Sequence, residues 1–158
     1  MTLKRNNKID DYFHKASRYI INQAVSNDVR TIIVGHNKNW KQEVNIGKAN
    51  NQKFVQIPFD KLIHQLKYKG KLKGITVIEI EESYTSKCSF LDNESIEKHD
   101  EYIGKRVHRG LFKSSKSLLN ADVNGSFNIM RKALKCNSDA VMPADVGFVY
   151  NPLKVKLS

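Results

Sequence analysis

The chain has 158 residues, enough for one domain with a hydrophobic core of its own, and its 27 lysines and arginines outweigh 16 acidic residues. The resulting formal charge of +11 favours a polyanionic partner such as RNA or DNA over an acidic small molecule. Cys88 and Cys136 stand far apart with no CxxC pair, which excludes a disulfide framework and a thiolate zinc ribbon. No apolar run approaches the roughly eighteen residues that cross a bilayer, and the polar start MTLKRNNKIDD lacks a secretory core, so a cytoplasmic protein with no membrane partner is expected.

From Ile9 to Val25 the residues Ile9, Tyr12, Phe13, Ala16, Tyr19, Ile20 and Ala24 recur at helical spacing and predict an amphipathic helix. Thr31 to Val34 is a β-branched run bounded by Asn27, Asp28 and Gly35, the pattern of a strand buried on both faces. The polar text from His36 to Gln56 reads as a long connection. Pro58 then opens a helix that buries Phe59, Leu62, Ile63 and Leu66 and ends at Gly70 or Gly74. A second strand follows, Ile75 to Ile80, so helix and strand alternate as in a βαβ unit.

Beyond that strand lie Glu81 and Glu82, where open α/β sheets bind their ligands. Side-chain alternation puts Glu82 on the face of Ile78 and Ile80, and Glu81 on the face of Val77 and Glu79; solvated glutamates at a strand end are the plain alternative. The basic segment GKRVHRGLFK, Gly104 to Lys113, suits a β-hairpin with cations on one face. In NADVNGSFNIMRK, Val123, Phe127, Met130 and Leu134 form the stripe of a last helix, with Asp122 near its first turn. Asp122 there is either a carboxylate facing a cation or, like Asn120, only a helix N-cap. The tail from Asn137 to Ser158 has no periodicity and is expected to be loosely ordered.

The ordered phrases HKASRYI, IIVGHNKNWKQ, NIGKANNQKFVQIPF, EESYTSK, KRVHRGLF and NADVNGSFNIMRK resemble the C-terminal part of the transposon-encoded OrfB/TnpB proteins. Those are RNA-guided nucleases with a RuvC-like, RNase H type domain, related to type V CRISPR effectors and to Fanzor proteins. The resemblance runs from about Phe13 to Lys132 and implies an α/β, incomplete RNase H-like fold, a mixed sheet with flanking helices. It implies a partial nuclease domain over residues 1–135, with an insert lacking zinc at about 83–119 and a tail at 136–158.

In that family three carboxylates hold two divalent ions that activate water for phosphodiester cleavage. Asp122 matches the last of them, in the DxN motif. Gly35 stands where the usual middle glutamate would fall, and the chain is similar to a Fanzor-like subgroup in which that glutamate lies beside the YTS motif. Glu82, or failing that Glu81, matches the relocated position. The first aspartate has no equivalent here, since Asp10, Asp11 and Asp28 lie in helical or turn text.

The resemblance thus implies magnesium as cofactor, held by Glu82 and Asp122 and incomplete in this chain, with no zinc because Cys88 lacks partner cysteines. DNA and guide RNA are the implied partners, with Lys41, Lys87, Arg106, Arg109 and Asn124 as nucleic-acid-binding residues. Three functions remain open at this point. The chain is part of a metal-dependent DNA endonuclease, weak or inactive until a separate upstream nuclease fragment supplies the first aspartate, or a non-catalytic RNA/DNA-binding module using Lys67, Lys69, Lys71, Lys73, Arg106 and Arg109, or the remnant of a mobile element. Missing strands would leave an open sheet edge and a tendency to associate.

Overall fold

A computed structural model of the chain describes residues 2–37, 57–136, 152 and 154–157. The elements alternate as expected at first: helix α1 (Thr2–Ser26), strand β1 (Thr31–Gly35), helix α2 (Phe59–Lys71) and strand β2 (Thr76–Ile80). Helix α1 begins well before its apolar periodicity does, because the preceding residues include the helix formers Leu3, Lys4, Arg5 and Lys8 and neither glycine nor proline. Its buried line is Phe13, Ala16, Ser17, Ile21 and Ala24, whereas Tyr12, Tyr19 and Ile20, predicted to be inside, are exposed. The stripe is rotated because Ser17 is enclosed at no cost in lost hydrogen bonds: its hydroxyl reaches the Phe13 carbonyl at 2.6 Å and Gln65 of α2 at 2.9 Å.

Helix α2 starts directly after Pro58 and buries Ile63 and Leu66. Gly70 lies inside the helix, where a Cβ would stand 3.0 Å from the Ile75 carbonyl, so the glycine serves close packing; the turn is made at Gly74, with φ +69°. Strands β1 and β2 are paired, and the bonds Thr76 N–H to Arg30 O and His36 N–H to Ile80 O advance the same way along both strands, which makes the pair parallel. Strand β1 is half-buried rather than covered on both faces, since only Ile32 and Val34 join the cluster of Ile21, Ala24, Leu66 and Ile75.

The chain divides into two compact units. The first holds α1, α2 and most of β1 and β2; the second holds the carboxyl ends of those strands, Gly35–Asn37 and the residues from Glu79 onward, with everything through the last helix. In the second unit β3 (Lys105–His108), β4 (Leu111–Lys113) and β5 (Leu118–Asn120) form an antiparallel sheet, so parallel and antiparallel pairing are both present but in separate small sheets. The β3–β4 hairpin is the one anticipated from the basic segment, with a register shift between Arg106 and His108 and its turn at Gly110. Strand β5 went unanticipated because Leu118–Asn120 is too short to show a period.

Helix α3 (Ala121–Leu134) closes this unit by packing its Ala121 and Phe127 with Phe90, Phe112 and Leu119, the Phe127 ring stacked on Phe90 at 4.7 Å. A Cβ on Gly104 would run into the Phe112 ring, which is enclosed and cannot swing away. Gly104→Ala is therefore expected to destabilise the second unit by about 1–3 kcal/mol through overpacking, read as a lower urea midpoint. The tail predicted to be loosely ordered falls almost entirely outside the described residues.

Candidate acidic site and basic hairpin

Strand β5 runs straight into α3, and Asn120 caps the helix: its side-chain oxygen accepts from Asp122 N at 2.9 Å and Val123 N at 3.1 Å. The capping role thus belongs to Asn120, which leaves the Asp122 carboxylate free of it and open to solvent at 87% side-chain exposure. Its neighbour is a cation, with Arg106 Nη2 of the hairpin 3.7 Å from Oδ1. Arg109 and Lys105 are also exposed on this hairpin.

Glu81 and Glu82 have different surroundings. Strand β2 ends at Ile80, so strict alternation ends there too. Glu81 is bonded by Lys132 of α3 at 2.6 Å and by the Ser83 amide at 2.9 Å. The Lys132 hydrogen bond holds the Glu81 pKa below the ordinary carboxylate value. A lowered folded-state pKa means that the pair contributes fully above the unfolded pKa and fades as pH falls through the lowered value. Because both side chains reach solvent, Lys132→Ala is expected to cost under about 1 kcal/mol at neutral pH, with the loss vanishing in acid, measured by urea titration at several pH values.

Glu82 instead lies against Gly35. A Cβ built on Gly35 would stand 2.6 Å from Glu82 Oε2, 3.1 Å from Glu82 Cβ and 2.6 Å from Ile129 Cδ1 of α3. The carboxylate rooted on residue 82 therefore fills space that a side chain on residue 35 would enter. Just beyond it the chain turns sharply: the Glu82 carbonyl accepts from the Thr85 amide and hydroxyl, and Tyr84 takes a left-handed conformation with φ 65°.

The segment after this turn is gripped by a polar face of α3 that the apolar periodicity did not reveal. Asn124 accepts from the Phe90 amide and donates to the Cys88 carbonyl, both at 2.9 Å. Asn128 donates to the Thr85 and Cys88 carbonyls at 2.9 and 2.8 Å and accepts from Arg131, which also donates to the Glu94 carbonyl at 3.2 Å. These three side chains are buried while Met130 and Leu134, predicted as core, are exposed. The signal available in the sequence was the Asn124, Asn128, Arg131 spacing, one helical face written in polar letters. Being fully enclosed with both amide ends engaged, Asn124 has no face left for the nucleic-acid contact expected of it.

Two carboxylates complete the clasp. Glu94 is buried and accepts from the Ser89 and Ile103 amides at 2.6 and 2.8 Å. Asp92 accepts from Ser89 and from both the amide and hydroxyl of Ser115; burial raises its pKa, but these bonds outweigh it and hold the group low. Cys88 lies fully buried in this turn. Lys87 is exposed, its ammonium 5.9 Å from the Tyr102 ring centre, and Lys41 lies outside the described residues.

As ligands, Glu82 and Asp122 offer hard oxygens of the kind magnesium takes. Among the described residues no group of three or more His, Cys, Asp or Glu side chains is arranged to hold a metal. Among the described residues no helix is long and apolar enough to cross a membrane.

Residues 59–129 match the family described as Cas12f1-like, TNB domain. The chain is 32% identical over 149 residues to the CRISPR-associated endodeoxyribonuclease Cas12f2 of Micrarchaeota archaeon, a match covering 89% of this chain and 27% of that protein. It is 33% identical over 132 residues to the TnpB-like protein ORF457 of Acidianus two-tailed virus, covering 82% of this chain and 23% of the relative. TnpB-like protein MJ0751 of Methanocaldococcus jannaschii matches at 25% over 131 residues, with 82% and 45% covered. The backbone superposes on a chain of the cryo-EM structure of the Cas12f1-sgRNA-target DNA complex with a TM-score of 0.61 at 19% identity, over 81% of this chain and 35% of that one. Measured against these relatives, the chain spans less than half of their length.

The fold is thus the mixed α/β arrangement found in Cas12f1, in keeping with an incomplete RNase H-like, RuvC-type domain. The chain belongs to the TnpB/OrfB family as a nuclease-related part of it.

Proposed function

We propose that this chain contributes the second and third carboxylates of a metal-dependent, RNA-guided DNA endonuclease, with the first aspartate coming from polypeptide outside this sequence. The observation that carries the reading is the Glu82 carboxylate lying in the space above Gly35. A carboxylate lost from the end of β1 and one gained beyond β2 are thereby alternative roots for the same oxygen atoms. The choice of Glu82 over Glu81 has the same support, because Glu81 is already committed to Lys132.

In this reading Glu82 and Asp122 are the ligands, and magnesium, when bound, activates water and stabilises the departing oxygen of a phosphodiester. Arg106, exposed and 3.7 Å from Asp122, would present its guanidinium to a phosphate oxygen beside that carboxylate. Guide RNA and target DNA are the proposed partners, by analogy with the Cas12f relatives. Lys87, Arg106 and Arg109 supply exposed cations for their backbones, and Lys41 is proposed with them from sequence alone.

The test combines the chain with a polypeptide carrying the missing aspartate strand and a guide RNA. Magnesium-dependent cleavage of target DNA is expected, lost in Asp122→Ala and in Glu82→Ala but retained in Glu81→Ala. The exposed cations of the β3–β4 hairpin favour one other reading, a binding module without cleavage. Salt-sensitive RNA binding that persists in Asp122→Ala, with no cleavage under any of these conditions, would select it.

A further inference from the structure

Helix α1 carries a second collection of charge, in the first unit and remote in sequence from Glu82 and Asp122. Asp11, His14, Lys15, Arg18, Tyr19 and Asn22 follow one another along one side of the helix, and with Lys156 and Leu157 they line a concavity of about 570 Å³. The cations in it outnumber the anions. Lys15 is paired with Asp11 at 3.1 Å, which uses the one carboxylate in the lining. Arg18 makes no hydrogen bond or ion pair among the described residues.

Behind this face stands Lys69 of α2. Its ammonium is pinned by the Ser17 hydroxyl at 2.6 Å and the His14 carbonyl at 2.9 Å, so it is a fixed charge on a rigid two-helix frame and not a mobile surface lysine. Burial, and after it the charge of Arg18, lowers the Lys69 pKa; the two cations repel each other. Fixed positive charge without a counter-charge is a standing cost that a bound anion removes.

The arrangement says which anion. Lys15 and Arg18 are three residues apart on this side of the helix, about 4.5 Å along the axis, so the charges lie in a row and do not converge on a point. A row suits a polymer of phosphates better than one free ion. Tyr19, 37% exposed, adds an aromatic ring at the edge of the same concavity, which is the size of a small-ligand pocket. Cations in a row with an accessible ring beside them are the elements of an unpaired-strand site, phosphates on the charges and a base on the ring.

We propose that this face of α1, with Arg18, His14 and Tyr19, together with Lys156 and the anchored Lys69, seats a single-stranded nucleic acid segment. The site deepens the nucleic-acid reading above and rests on it only for the class of partner; it does not involve Glu82 or Asp122.

The experiment uses the whole chain and fluorescence anisotropy with a labelled 20-nucleotide single-stranded RNA and a blunt DNA duplex of the same length. Arg18→Glu combined with Lys156→Glu is expected to weaken RNA binding about tenfold or more and to reduce the salt slope by about 1.4, near 0.7 for each phosphate no longer neutralised. Tyr19→Ala is expected to weaken the single strand at least fivefold and to leave the duplex nearly unchanged. Lys98→Glu combined with Lys116→Glu, an equal charge change in the second unit and outside the β3–β4 hairpin, serves as control, and circular dichroism checks each fold. Losses no greater than the control's overturn the proposal, as does an unaffected Tyr19→Ala paired with displacement of the RNA by millimolar inorganic phosphate. Asp122→Asn is expected to bind RNA normally while losing cleavage in the reconstituted assembly. RNA binding that fails with Asp122→Asn and survives the α1 changes would overturn this site and leave the acidic one standing.

Discussion

Asn128→Ala is expected to cost roughly 3 kcal/mol of stability, several times the effect of deleting the surface lysine Lys132. The side chain is fully buried and makes three hydrogen bonds, to the Thr85 and Cys88 carbonyls and from Arg131. Truncation to alanine strands the Thr85 carbonyl and a guanidinium N–H where water does not reach, at about 1–3 kcal/mol per unpaired group and more for the charged one, while the Cys88 carbonyl keeps its bond from Asn124. Arg131 has little slack to re-pair, since its Nε is already without a partner among the described residues. Urea unfolding should show a lower midpoint with an unchanged slope. A loss below about 1 kcal/mol would mean that the clasp is not what holds the turn after Glu82.

Gly35→Ala is expected to behave in the opposite way, with little effect on folding and a large one on chemistry. Of the three atoms its Cβ would meet, Glu82 Oε2 and Ile129 Cδ1 are the far ends of flexible side chains, Glu82 Cβ at 3.1 Å need give by only a few tenths of an ångström, and the glycine has no positive φ to lose. Both ends can turn aside, so the stability cost should stay near 1 kcal/mol, at the low end for overpacking. The carboxylate, however, can only turn away from where it now lies. In the reconstituted cleavage assay this should lower the rate by about a hundredfold, since ångström-scale misplacement has that consequence for positioned groups. A swap makes the test sharper: Gly35→Glu with Glu82→Ala returns the carboxylate to the end of β1 and should recover part of the activity that either change alone removes. Full activity of Gly35→Ala would separate Glu82 from the chemistry.

Much of the fold is legible from residue types and spacing. Pro58 marks the start of α2, the β-branched run Thr31 to Val34 marks β1, and the alternating cations of Gly104 to Lys113 mark the hairpin. These signals are local, carried by residues that constrain their own backbone. What stays hidden depends on partners distant in the chain. Periodicity reads burial from hydrophobicity, and so places Tyr19, Ile20, Met130 and Leu134 inside, although Ser17, Asn124, Asn128 and Arg131 occupy the enclosed positions. Polar residues can be buried wherever each finds a bond, and nothing in a single helix's letters says that a Gln65 or a Cys88 carbonyl waits opposite. Strand alternation separates Glu81 from Glu82 poorly for the same reason, because their difference turns on Lys132 and Gly35, both far away in the chain.

The turn that encloses Cys88 also makes that thiol a natural reporter. Burial raises its pKa and removes it from solvent, whereas Cys136 at the end of α3 is partly accessible. An alkylating reagent should therefore modify Cys136 promptly and reach Cys88 only in molecules whose Asn128 clasp has momentarily let go. The labelling rate of that single sulfur would then read out how often the segment next to Glu82 springs open, in the native protein and without any denaturant.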